Sequence, residues 1–114
     1  MHNTCGEVQS TLDPSDVRYT QKSIKGDFGD GRSVDNMISG LKNGSIKQGD
    51  VPSIRVFEQN SKIYSLDNRR LYAFKQAGMK SINVQWVNPA TPNIAYEISW
   101  KFTTINDGIS IFVR

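Results

Sequence analysis

Apolar residues recur along the chain with two different periods, and each period predicts its own elements. Val34, Met37, Ile38 and Leu41 fall at i, i+3, i+4 and i+7, which is one face of a helix. Ser33 stands where a cap belongs, and Gly44 follows as the natural stop. Ile54 to Glu58 then reads as a strand, Gln59, Asn60 and Ser61 as a polar turn, and Lys62 to Leu66 as a second strand. Asp67 or Asn68 can cap a helix from Arg69 to Ala77, with Leu71 and Phe74 facing inward and Gly78 closing it. Ile82 to Val87 alternates as a third strand.

Two later segments are less uniform. Thr91 and Pro92 form a cap followed by a first-turn proline, which predicts a helix over 92–100. Ile94, Tyr96, Ile98, Trp100 and Phe102 alternate instead, as a strand would. Both readings stay open, with the greater weight on the helix. Beyond them, Lys101 to Thr104, a turn at Asn106, Asp107 and Gly108, and Ile109 to Val113 predict a terminal hairpin.

The first sixteen residues are polar and aperiodic and close on the turn signal Asp13-Pro14-Ser15-Asp16. No basic segment precedes an apolar one there, so they do not form a signal peptide. Residues 1–16 are expected to be a tail or a linker from a larger chain, with the folded domain at 17–114. Lys25 to Arg32 is glycine-rich but lacks the Lys-Ser/Thr of a phosphate-binding loop, and a plain loop around Phe28 is expected. The fold class that follows is α+β: one small domain with a mixed sheet of about five strands and two or three helices.

Composition narrows the chemistry. At 114 residues the chain supports one modest core. No apolar run approaches the about 18 residues of a membrane span. One cysteine, Cys5, cannot form an internal disulfide or a zinc site. One histidine, His2, sits at the extreme N-terminus, which nearly excludes histidine-based catalysis. The net charge of +3 averages an acidic start with a basic body, because residues 1–17 carry Glu7, Asp13 and Asp16 and no Lys or Arg. Lys62 to Lys80 holds five positive charges against Asp67 alone, which points to an anionic partner such as a nucleic acid.

The most informative segment runs from Tyr64 to Leu71, a strand passing through a tight polar turn into a helix that opens with two guanidiniums. Backbone donors at a helix N-terminus favour anions, and Arg69 and Arg70 add forked donors matched to phosphate. Arginines in a first turn oppose the helix dipole, so a ligand is a better reason for them than helix stability. Asp67 can orient one of them or accept a proton.

Pro52, Ile54, Val56, then Tyr64, Leu66, Asp67, Arg70, Leu71, Ala73, and finally Gly78, Ile82 and Val84 resemble the ParB/sulfiredoxin fold over residues 50–87. That resemblance implies a ParB/sulfiredoxin-like core in which a strand, an Asp-Gly-x-x-Arg turn and a helix bind phosphate or nucleotide. Asn68 stands here in place of the usual Gly, and Arg69 where His is common. Cys5 lies outside the motif, which removes sulfiredoxin chemistry. The run Leu66 to Leu71, with Asp30-Gly31-Arg32-Ser33 upstream and Lys101 to Thr104 and Asn106-Asp107-Gly108 downstream, is more similar to ParB-like C-terminal toxin domains of bacterial polymorphic toxins. These occur in contact-dependent inhibition and Rhs-type systems. The resemblance implies a nuclease secreted as part of a larger toxin, active in the target-cell cytoplasm and neutralised by a cognate immunity protein. A host activating factor belongs to the same expectation, and so does Arg32 as a substrate-binding residue.

Asp27, Asp30, Asp67, Glu97 and Asp107 are scattered rather than clustered, which disfavours a metal-dependent nuclease. RNA carries its own nucleophile, so its cleavage needs a base, an acid and cations around the phosphorane. The expected catalytic group is Asp67 with Arg69, Arg70, Lys101 and Thr103, without a metal or other cofactor. Tyr64 is the other candidate base, and Tyr64, Asn68, Tyr72 and Thr104 are the expected substrate contacts. Of the aromatics able to stack on bases (Tyr72, Trp86, Tyr96 and Trp100), Tyr72 lies nearest the arginines in sequence. The expected function is therefore a metal-independent ribonuclease toxin, with tRNA among its candidate substrates. The expected immunity partner is small and acidic, because a covered arginine cluster needs charge partners. A ParB-like DNA nuclease or a nucleotide- or nucleic-acid-binding module is the alternative.

Overall fold

A computed structural model describes residues 8–26 and 33–114 of the chain. Among the described residues seven strands and three α-helices follow one another as β1 (Val8–Leu12), β2 (Val17–Tyr19), β3 (Ser23–Ile24), α1 (Val34–Asn43), β4 (Ile54–Gln59), β5 (Lys62–Ser65), α2 (Asn68–Gln76), β6 (Ile82–Trp86), α3 (Pro92–Lys101) and β7 (Phe112–Val113). Five strands form a mixed sheet in the order β1-β6-β4-β5-β2, and β3 pairs with β7 in a separate ribbon. The fold class is α+β, as the patterning predicts. Among the described residues no helix is long and apolar enough to cross a membrane.

Strand alternation divides the core in two. Ile54 and Val56 of β4, Val17 and Tyr19 of β2, and Ile82 and Val84 of β6 meet Val34, Met37, Leu71 and Phe74 from α1 and α2. Phe57, of opposite parity on β4, joins Tyr64, Leu66, Val87 and Ile94 beneath α3. The sheet is therefore a middle layer, with α1 and α2 on one face and α3 on the other.

Local chemistry explains most of the elements. The Ser33 side chain accepts the Asn36 N–H at 3.0 Å, and Gly44 ends α1 at φ 85°. Asn60 and Ser61, both at positive φ, form the two-residue turn that sets β4 against β5. The cap-and-proline signal outweighs the alternation in α3, because helical geometry sorts the alternating residues onto two faces. Ile94 and Ile98 turn to the core together with Phe102, whereas Tyr96 and Trp100 are exposed.

Two expectations are overturned. The segment placed in a tail contains β1, which pairs antiparallel with β6 from Val8 opposite Trp86 to Leu12 opposite Ile82. Pro14 is also buried, so the folded unit begins no later than Val8 rather than near Val17. The pairing lies along the sheet edge and needs few apolar side chains, which is why its polar sequence concealed it.

The terminal hairpin is absent. Lys101 closes α3, and the N–H groups of Thr103 and Thr104 both donate to the Thr20 carbonyl, at 2.9 and 3.0 Å. The turn itself forms, with Asp107 at φ 58° and Gly108 at φ 74°. Gly108 then lies against β2, where its carbonyl accepts the Tyr19 N–H at 3.0 Å and a Cβ would collide with the Tyr19 backbone. The chain continues into β7, parallel to β3, so the turn straps the C-terminal segment across β2 instead of folding it back.

Candidate functional site

The site grows from the junction between β5 and α2. Leu66 is buried, and the next residue, Asp67, occupies the N-cap position of α2 without capping it. Its carboxylate is turned to Arg55 in the neighbouring strand β4. Oδ2 accepts the Arg55 backbone N–H at 2.8 Å and Nε at 3.1 Å, while Oδ1 accepts Nη2 at 2.8 Å. The other edge of the Arg55 guanidinium meets Glu97 of α3, with Nη1–Oε1 2.8 Å and Nη2–Oε2 2.9 Å. Lys101, one turn further on, pairs with Glu97 at 2.7 Å and donates to the Leu66 carbonyl at 2.7 Å. Arg70 completes the network, pairing with Asp67 at 3.1 Å and donating to the Pro52 carbonyl at 2.8 Å.

These contacts set the protonation states. Burial pushes the Asp67 carboxyl up, but hydrogen bonds from Arg55 and the Arg70 and Arg55 charges leave it below its ordinary value. Glu97 is likewise raised by burial and lowered by more through Arg55 and Lys101. Arg55 is held still more firmly protonated by Asp67 first and Glu97 second. Both carboxylates thus stabilise the fold above the ordinary carboxylate range, and that contribution disappears as pH falls through their depressed values. Resistance to urea is expected to fall between about pH 5 and about pH 3, and less steeply in Asp67→Asn. Equal slopes in both proteins would show that Asp67 carries none of the acid sensitivity.

Beside the network lies a cleft of about 440 Å³, whose lining includes Lys25, Arg69, Arg70, Trp100, Lys101 and Arg114. Five of these are cationic, and Asp67, the one acidic lining residue, is already paired with two arginines. The start of α2 borders the same cleft, so the positive end of its dipole adds to the field. The arrangement suits a ligand with more than one negative charge, such as a phosphodiester or diphosphate.

Of the residues expected from sequence, Asp67, Asn68, Arg69, Arg70 and Lys101 are brought together here. Asp67 takes the orienting role, its carboxylate held between Arg55 and Arg70. The Asn68 side chain is buried, accepting the Thr20 N–H at 2.9 Å and donating to Thr20 Oγ1 at 2.9 Å and Gln21 Oε1 at 3.1 Å. It ties α2 to the end of β2 and has little left for a substrate.

Four others lie elsewhere. Tyr64 is 3% exposed and packed between Phe57 and Phe102, so it neither stacks on a base nor removes a proton. Tyr72 packs against the larger core cluster. Thr103 Oγ1 accepts the Lys22 N–H at 3.1 Å, and Thr104 Oγ1 accepts the Gly108 N–H at 2.7 Å, so both hold the C-terminal strap. Arg32, together with Asp27 and Asp30, lies outside the described residues. Among the described residues no three His, Cys, Asp or Glu side chains converge as a metal site would require.

The patterning missed Arg55, Lys25 and Arg114. Arg55 had a visible signal: an arginine between Ile54 and Val56 in a strand whose neighbours are buried needs an acidic partner. Lys25 and Arg114 reach the cleft only because β3 pairs with β7, and two-residue strands leave no periodicity to read.

No protein-family model matches the chain, and no curated protein does. Its fold resembles that of protein Atu1540 from Agrobacterium tumefaciens, with a TM-score of 0.50 and 8% identity over 88% of this chain. This chain spans 52% of the length of that protein. The likeness concerns the fold alone.

Proposed function

We propose that this chain is a metal-independent ribonuclease domain of an antibacterial toxin, with tRNA among its candidate substrates and no cofactor required. The observation that carries the reading is the convergence of Lys25, Arg69, Arg70, Lys101 and Arg114 on one cleft at the start of α2. RNA supplies the nucleophile: its 2′-oxygen attacks phosphorus, the bond to the 5′-oxygen breaks, and the 2′-hydroxyl proton ends on that leaving oxygen. The protein's part is then to surround the doubly charged phosphorane with fixed positive charge, the term that contributes most in such reactions. Asp67 and Glu97 contribute indirectly by fixing Arg55, Arg70 and Lys101. The resemblance to ParB-like toxin domains supports the remainder of the reading. That remainder is export within a larger toxin, action in the target-cell cytoplasm, a small acidic immunity protein over the cleft, and a possible requirement for a host factor.

Purified protein incubated with total RNA and with plasmid, each with and without EDTA, separates the possibilities. RNA is expected to be cut in both conditions and plasmid in neither. Plasmid degradation that EDTA abolishes, with RNA left intact, would replace this reading with a ParB-like DNA nuclease. A second reading has a specific observation in its favour. With Asp67 and Glu97 both committed to Arg55, neither carboxylate is free to take a proton. That suits a module which binds nucleotides or nucleic acid without cleaving them, and it would show as calorimetric binding with no RNA loss and no growth arrest.

A further inference from the structure

We infer that the cleft takes its nucleic acid as an unpaired strand, with bases laid on an exposed aromatic ledge beside the phosphate-binding cations. The inference rests on the reading of the cleft as a nucleic-acid site and adds the form of the substrate.

Trp100 lines the cleft yet remains 54% exposed, which is unusual for a tryptophan in so small a protein. Tyr96, one turn earlier on the same face of α3, is 72% exposed. Phe112, 69% exposed, is the β-pair partner of Ser23, another residue of the cleft lining. The core does not account for these three rings, because α3 meets it through Ile94 and Ile98 instead. The Lys101 ammonium lies over the Trp100 ring, 5.5 Å from its centroid, so a cation and an aromatic ring meet at the rim.

Cations combined with exposed rings suit a strand that carries phosphates and unpaired bases together. A duplex offers its phosphates to the same cations but keeps its bases stacked inside, out of reach of the rings. An inorganic polyphosphate offers charge with no base. The ledge therefore selects the single strand among three anions that the cations alone would hardly distinguish.

The test compares three probes: a fluorescent 2′-O-methyl oligouridylate of about ten nucleotides, which resists cleavage; its duplex with the complementary strand; and inorganic polyphosphate. The single strand is expected to bind on the order of tenfold more tightly than the duplex and to quench Trp100 fluorescence. Trp100→Ala is expected to remove most of that preference, weakening the single strand on the order of tenfold more than polyphosphate. Trp100→Phe should restore most of it. Unfolding curves confirm that each variant is folded.

Equal binding of single strand and duplex would overturn the inference while leaving the cleft a nucleic-acid site. So would a Trp100→Ala loss of equal size for oligouridylate and polyphosphate. Binding of none of the three probes by the native protein would instead overturn the reading of the cleft itself, and this inference with it.

Discussion

Arg55→Ala is expected to lower the unfolding free energy by about 2–3 kcal/mol, in the upper range for single substitutions. Removing one member of a buried ion pair leaves the other charge uncompensated, at about 3–5 kcal/mol when burial is complete. Asp67 meets that condition, with 8% of its side chain exposed, whereas Arg55 keeps 30%, and solvent screening reduces the figure accordingly. Arg70 stays within reach of Asp67 and Lys101 of Glu97, which limits the loss further. Urea denaturation at neutral pH measures the effect. The double variant Arg55→Ala/Asp67→Asn should lose less than the sum of its parts, since the orphaned carboxylate is gone. Strict additivity, or a loss within about 0.5 kcal/mol for Arg55→Ala, would mean that the network is a surface ornament.

The second large effect concerns activity. Arg69→Ala is expected to reduce single-turnover RNA cleavage by about 10²–10³-fold, the usual cost of removing one donor aimed at developing phosphorane or oxyanion charge. Arg69→Lys should recover only part of the rate, because an ammonium replaces a planar fork by a point charge. Arg70→Ala is expected to lower stability together with rate, because its guanidinium holds the Pro52 carbonyl and Asp67. A cleavage rate unchanged in Arg69→Ala would place the reacting phosphate somewhere other than this cleft.

Much of the fold was legible where a local rule and a burial pattern agreed. Ser33 and Gly44 bracket an amphipathic stretch, and α1 lies between them. Gly78, at φ 75°, closes α2 where its sequence position implies. The polar turn after β4 forms too, shortened to Asn60 and Ser61 because Gln59 pairs with Lys62. Of the candidate site, the grouping of Asp67, Arg69 and Arg70 at one strand-to-helix turn was legible, because the three share a single turn of chain.

Other parts depended on contacts far apart in sequence. Tyr64 alternates like any half-exposed strand residue, and only the packing of Phe102 and α3 above it makes it core. The Asn68 side chain reaches 48 residues back to Thr20, a contact that no local pattern announces. β1 depends on a partner more than seventy residues away, from Val8 to Trp86. Local sequence shows Asp67 as a carboxylate beside arginines, able to orient one or to act as a base. It does not show Arg55, which approaches from another strand and binds both carboxylate oxygens.

The pairing of β7 with β3 has a geometric consequence for anything covalently joined to this domain. Arg114 lines the cleft, and its backbone N–H is pinned to the Ile24 carbonyl at 2.8 Å. Residues attached after it must depart from the rim and would crowd the entrance. β1, by contrast, is the sheet edge opposite β2, away from the C-terminal strap. A carrier fused directly after Arg114 is therefore expected to hinder ligand entry.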